Sequence, residues 1–357
     1  NMAGALQLMG NLAGLEPDEG AKAQPLPAWG LYRSFAAQTG GQGPDTSPMA
    51  GIEEPPHIPT LPKGASTQAV LVFYRAHLLV GDHTALEALA QQLAQHGRAV
   101  EMVFVTSLKE PAVAQGLAAY LAQIQPDCVL NATVFSSKNQ QGYSPLVQSG
   151  VPVFQLLQPG CTQALWAQSA RGLTRADLAM QTVLPELDGS ISTFPLSFRQ
   201  EATPGQPAAR VPYAPGIALS VARIMGWLRL RCLTPAQRSV GLVVSDYPGA
   251  GLAQESGHMA HAVGLDTFAS LISIQNSLHK EGYKTGPLLT QPQLVQALAH
   301  SPAQPFLSVA TYKQLAGSLD AGFMARVQAA WGQPEHDKAV QAGQFYARSV
   351  QQGNFVL

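Results

Sequence analysis

Two short stretches of this chain carry residue types suited to proton or metal chemistry. Leu184-Pro-Glu-Leu-Asp-Gly189 places two carboxylates on either side of a leucine, and Tyr74-Arg-Ala-His77 places a guanidinium and an imidazole close together. A carboxylate or a neutral imidazole accepts a proton and ligates borderline divalent cations. Glu186 and Asp188 bracket a leucine at a turn, and Asp82 lies close in sequence to His77. The bland readings stand beside these: a carboxylate pair in a turn is commonly solvated, and one Arg or His after a strand is commonly structural. His258 and His261 stand at i, i+3 spacing and would share a helical face, with Glu255 the nearby acidic neighbour.

These residues need elements to hold them. Ala69–Tyr74 is an apolar run of strand length, and a helix is expected from Thr84, capped by Thr84 with Glu87 three residues on and stopped at Gly97. Val100–Val105, a helix over 111–124, Cys128–Leu130 and Val151–Leu157 continue the alternation. Strands alternating with helices predict an α/β fold of two βαβ-type units with mainly parallel sheets, after an irregular Pro/Gly-rich N-terminal segment. The expected divisions are an irregular lead-in at 1–66, a first α/β domain at 67–200, a linker and connecting helix at 201–235, and a second α/β domain at 236–357. In such sheets ligands bind in loops beyond the carboxyl ends of strands. Arg75 and His77, Asn131, Thr133 and Ser136, and Asp246 and Tyr247 all fall in such loops.

Composition narrows the partners. The 357 residues carry 21 basic and 22 acidic side chains, a net charge of −1, so neither nucleic acid nor an anionic membrane has an electrostatic footprint here. Charged residues make up only 12%, about half the usual share, which suits a piece whose faces pack against a larger assembly. Cys128, Cys161 and Cys232 are odd in number and far apart, pointing to a reducing, cytoplasmic setting and to no zinc ribbon. The G-x-x-x-x-G-K-[ST] phosphate loop, H-E-x-x-H and G-x-S-x-G are absent from the sequence, and Gly249-Ala-Gly251 has Gln254 at the third glycine of a dinucleotide fingerprint.

Taken in order, Tyr74-Arg-Ala-His77 with Gly81-Asp82, Thr106-Ser-Leu-Lys109, Asn131-Ala-Thr133 with Phe135-Ser136, Arg171-Gly-Leu173 with Asp177-Leu-Ala179, Leu184–Gly189, and Gly264-Leu-Asp266 with Ala269-Ser270 form a set. That set resembles the large subunits of aerobic cobaltochelatases, the CobN type, and more distantly the H-type subunits of magnesium chelatases. The resemblance implies insertion of Co2+, as substrate, into a corrin-type tetrapyrrole such as hydrogenobyrinic acid a,c-diamide during cobalamin biosynthesis. It also implies AAA+ ATPase partner subunits that hydrolyse the ATP, and a chain that is an internal fragment of a longer subunit. A tetrapyrrole- or partner-binding module without catalysis, or a chelatase for magnesium, are the alternatives. The resemblance gives Glu186, Asp188 and His77 catalytic roles, with His77 and Glu186 as metal ligands. Substrate contacts are implied at Arg75, Asp82, Asn131, Thr133, Ser136, Tyr247 and Asp266. His77 ranks above His258 and His261, because it follows a buried strand within a motif that both branches of the resemblance share, whereas Glu255 is the only acidic candidate beside the histidine pair.

Overall fold

The computed structural model describes residues 26–32, 52–53, 69–201, 209–244, 266–317 and 319–356. Asp246, Tyr247, Gly249, Gly251, His258 and His261 lie outside the described residues. The chain divides into two compact units, Asn1–Leu228 and Arg229–Leu357.

The first unit is built on one seven-stranded sheet. Its described strands are β1 (Trp29–Tyr32), β2 (Ile52–Glu53), β3 (Ala69–Tyr74), β4 (Val100–Val105), β5 (Cys128–Asn131), β6 (Val153–Leu157) and β7 (Ile191–Pro195), in the order β2-β1-β4-β3-β5-β6-β7. The five strands from β4 to β7 are parallel, and β1 adds antiparallel to β4. β1 and β2 come from within the Pro/Gly-rich lead-in, where no periodicity announces them.

Helices cover both faces: α1 (Arg75–Leu79) and α2 (Thr84–Gln95) follow β3, and α3 (Pro111–Ile124) follows β4. The short α4 (Pro145–Gln148) and α5 (Gln163–Gln168) come next. α6 (Arg175–Leu178), a π-helical turn (Ala179–Val183) and α7 (Leu184–Leu187) then run end to end. Beyond β7 a hairpin of β8 (Ser197–Arg199) and β9 (Arg210–Pro212) leads to α8 (Ala214–Cys232).

The period-two alternation of β3 explains its continuous apolar sequence. Ala69, Leu71 and Phe73 face Leu86, Leu89 and Leu93 of α2 and Ile217, Val221 and Ile224 of α8. Val70 and Val72 face Val113, Leu117, Tyr120 and Leu121 of α3. A strand buried on both faces has no polar side to show.

The start of α2 differs from the expected capping box. His83 is the N-cap and Thr84 the first helical residue. The Glu87 carboxylate instead accepts the Tyr32 hydroxyl at 2.8 Å, tying β1 to α2. Burial and this carboxylate together push the Tyr32 hydroxyl well above its usual pKa, so it stays a donor.

In the second unit the described strands pair differently from the mainly parallel sheet expected there. β10 (Val240–Gly241) pairs parallel with β15 (Phe355–Val356), but β15 with β14 (Gln351–Gln352), and β13 (Gln344–Arg348) with β11 (Ala303–Ser308) and β12 (Val340–Gln341), are antiparallel. The reason is local. β12 and β13 are joined by Ala342 and Gly343 alone, both at positive φ, and a two-residue connection makes a hairpin where a parallel pair needs a crossover of about a dozen residues. Among the described residues this unit has the α-helices α9 (Thr267–Lys280), α10 (Gln291–His300), α11 (Val309–Ala316) and α12 (Ala321–Trp331). Phe268, Leu271 and Leu294 form the small core of α9 and α10. Among the described residues no helix is long and apolar enough to cross a membrane.

Gly216, in the first turn of α8, marks where that helix meets the end of β7. A Cβ there would collide with the Pro195 carbonyl oxygen. Gly216→Ala is therefore expected to lower stability by about 1–3 kcal/mol, although alanine favours helix by about 1 kcal/mol. Urea unfolding checks this, and an unchanged midpoint would show that α8 shifts freely on β7.

Candidate functional site

The strand order determines where a crevice forms. From β3 the chain moves to β4 on one side, and from β4 it returns to β5 on the other side of β3. Loops leaving β3 and β5 at their carboxyl ends thus diverge, and the gap between them is the topological switch point at which α/β sheets bind ligands. Arg75 and His77 follow β3, and Asn131, Thr133 and Ser136 end or follow β5, so the structure sets both groups on the rims of this gap.

His77 stands on α1, a single turn of helix where a loop is expected. Its ring stacks on Tyr74 with centroids 6.4 Å apart and planes at 11°. Its Nδ1 is 3.8 Å from an Asp82 oxygen, and Arg210 Nε lies 3.2 Å from the same oxygen. Burial lowers the His77 pKa below its ordinary value; Asp82 opposes this and Arg210 reinforces it. The imidazole is consequently neutral near pH 7, with a lone pair to give to a proton or a cation. Arg210, from β9, falls in the stretch read from sequence as linker; burial is the main cause that lowers its own pKa. It also donates to the Pro159 carbonyl, joining the ends of β3 and β6. Arg75 points elsewhere than toward a substrate carboxylate: its Nη1 donates to the carbonyls of Leu26 and Pro27 and anchors the approach to β1.

The opposite rim is a chain of buried polar contacts. Asn131 donates to Gln155 Oε1, while its Oδ1 accepts from the backbone and hydroxyl of Thr133. Gln155 donates onward to the Thr133 carbonyl. Asn131, Thr133 and Gln155 are all buried, so their polar atoms shape the loop. The Tyr74 hydroxyl then crosses the gap and donates to the Val134 carbonyl at 3.0 Å. Phe135 N–H donates to the Met180 carbonyl in the π-helical turn, and Ser136 Oγ donates to Asp188 at 2.9 Å. One run of residues, 133 to 136, thereby links the His77 side to the Glu186 turn.

The two carboxylates of that turn have different surroundings. Asp188 is buried and accepts from Ser136 Oγ, Ser137 N and Ser137 Oγ, with Lys138 Nζ 3.8 Å away. Its oxygens are taken up in holding the turn against the β5 loop. Glu186 is exposed on α7, free of side-chain partners among the described residues. Behind them Asp177, also buried, accepts from Gly160 N, Thr174 Oγ1 and Gln181 Nε2. In the second unit Asp266, expected as a substrate contact, caps α9 by accepting from Ala269 N at 2.9 Å. Among the described residues no three His, Cys, Asp or Glu side chains converge into a metal-holding group. His77 and Glu186 stand apart from any such group.

Sequence similarity bears on what such a crevice serves. The model of the CobN/Magnesium Chelatase family matches residues 1–357. The chain belongs to this family. Within it, the chain is 29% identical over 293 residues to the aerobic cobaltochelatase subunit CobN of Sinorhizobium sp, covering 77% of this chain and 23% of that one. Against the CobN of Pseudomonas aeruginosa the identity is 26% over 354 residues, covering 90% and 28%. The H-type magnesium-chelatase subunit of Cereibacter sphaeroides is 24% identical over 311 residues, covering 76% and 24%. In fold the chain is similar to the catalytic subunit of cobaltochelatase from Mycobacterium tuberculosis, with a TM-score of 0.69 and 22% identity, over 96% of this chain and 28% of that one. The chain thus spans about a quarter of the length of these CobN/magnesium chelatase relatives.

The lowered His77 pKa has a consequence for acid stability. As pH falls, the unfolded chain takes up this proton before the folded one, so the contribution is complete above about pH 6.5 and is lost as pH drops through the lowered folded value. His77→Asn is expected to flatten the decline in urea midpoint between about pH 7 and 5 relative to wild type. Parallel declines would show that the imidazole is not held neutral by the fold.

Proposed function

We propose that this chain supplies the tetrapyrrole-facing crevice of a cobaltochelatase large subunit. In this reading the subunit inserts Co2+ into a corrin-type ring such as hydrogenobyrinic acid a,c-diamide, and AAA+ partner subunits hydrolyse the ATP. The observation that carries it is the presence, on the two sides of the switch-point crevice that residues 133 to 136 link, of a neutral imidazole at His77 and an exposed carboxylate at Glu186. Metal insertion requires those two abilities: every ring N–H displaced by the metal must give its proton to a base, and the cation must exchange water for a protein ligand before reaching the ring. The 29% identity to the CobN of Sinorhizobium sp, against 24% to the H-type magnesium-chelatase subunit of Cereibacter sphaeroides, favours cobalt over magnesium.

The roles divide by surroundings. Glu186, unengaged and solvent-facing, is the proton acceptor or cation-transfer ligand. His77 is the second base or ligand, held in orientation by Tyr74 and Asp82. Asp188 serves by fixing the turn that carries Glu186, since its oxygens already accept from Ser136 and Ser137. Asn131, Thr133 and Ser136 serve by shaping the rim on which the ring rests.

Glu186→Gln in the complete subunit, assayed with its ATPase partners, Co2+ and the metal-free corrinoid, is expected to cut cobalt insertion by about 100-fold or more. Folding stability should change by no more than about 0.5 kcal/mol, because the residue is exposed. Equal insertion by variant and wild type would reject Glu186 as the reacting carboxylate. Insertion of Mg2+ into protoporphyrin in place of cobalt into the corrinoid would reject the cobalt reading.

A further inference from the structure

Phe135 combines two features that each oppose stability. Its φ is 69°, in the left-handed region where a bulky L residue crowds its own backbone, and its side chain is 46% exposed. Glycine or asparagine would occupy such a position at lower cost, and an exposed phenylalanine returns little to the core.

The backbone around it is nevertheless tied on every side. Thr133 is held by Asn131 and Gln155, the Val134 carbonyl by Tyr74, the Phe135 N–H by Met180, and Ser136 and Ser137 by Asp188. These ties come from β3, β5, β6, the π-helical turn and the end of α7, so the strained conformation is over-determined by its surroundings. The strain therefore keeps a rigid aromatic ring in solvent on the rim of the crevice. The segment that its N–H binds carries more exposed apolar side chains: Leu178 at 37%, Val183 at 45% and Leu187 at 72%.

Resting on the reading of this crevice as a tetrapyrrole site, we propose that Phe135 is the platform against which the flat face of the macrocycle packs. A conjugated ring offers the offset-stacking surface that an aromatic side chain prefers. Because the backbone is already fixed, Phe135 loses little freedom when the ring arrives, which is how a preorganised contact gains affinity. The residue would thus set the position of the ring relative to His77 on one side and Glu186 on the other.

The test uses the complete subunit with two probes, deuteroporphyrin IX and metal-free hydrogenobyrinic acid a,c-diamide, each titrated by quenching of protein fluorescence. Wild type is expected to bind at least one of them. Phe135→Gly should lose about tenfold in affinity for that probe while its Tm stays level or rises, since glycine relieves the left-handed strain. Phe135→Tyr, which keeps the aromatic face, should bind within about twofold of wild type. Undiminished binding by Phe135→Gly overturns the platform and leaves the crevice reading intact, whereas no binding of either probe by wild type overturns both. A fall in Tm that accompanies the lost affinity in Phe135→Gly, or an equal loss in Phe135→Tyr, overturns the platform by returning the residue to a structural role.

Discussion

A parallel sheet that reverses its direction of winding at one strand must leave a gap there, and in this chain that strand is β3. It pairs with β4 on one edge and β5 on the other, so the two loops leaving its neighbourhood part company. The polar contacts of the first unit read as responses to that opening. Tyr74 spans it to Val134, and Arg210 closes its flank between Asp82 and Pro159. The Asn131, Thr133 and Gln155 network stiffens its far side. Without these ties the loops would carry buried polar groups with no partner, each costing about 1–3 kcal/mol.

The same ties separate polar groups that are engaged from polar groups left open. Asp82 and Asp188 are carboxylates already engaged, one by Arg210 and His77, the other by serine donors. Glu186 and the His77 lone pair remain available. Two carboxylates two residues apart therefore acquire opposite characters through burial alone, since buried Asp188 must be satisfied by protein donors while exposed Glu186 is satisfied by water.

Membership of the CobN/magnesium chelatase family is the setting in which this arrangement is found. Phe135, Leu178, Val183 and Leu187 are exposed apolar side chains of the first unit.

Much of the architecture was legible without coordinates. The apolar run at Ala69–Tyr74, the mostly apolar Val100–Val105 and the helical stripe of 111–124 announced a buried parallel sheet, because strands covered on both faces are nearly continuous in apolar residues. The types of the chemical residues and their order along the chain, from His77 to Glu186, were equally a property of the sequence. Their partnerships were not. Nothing local tells that Glu87 serves Tyr32 rather than its own helix start, that Arg210 leaves an apparent linker to pair with Asp82, or that Asp188 is buried while Glu186 is not. The two-residue hairpins of the second unit were likewise hidden behind a strand-and-helix grammar that looked repeated. The division has a physical origin: periodicity and composition are set by neighbours within a few residues, whereas burial, ion pairing and pKa depend on contacts between residues tens to more than a hundred positions apart, which exist only once the sheet has brought β3, β5 and β6 side by side and β9 has packed against α2.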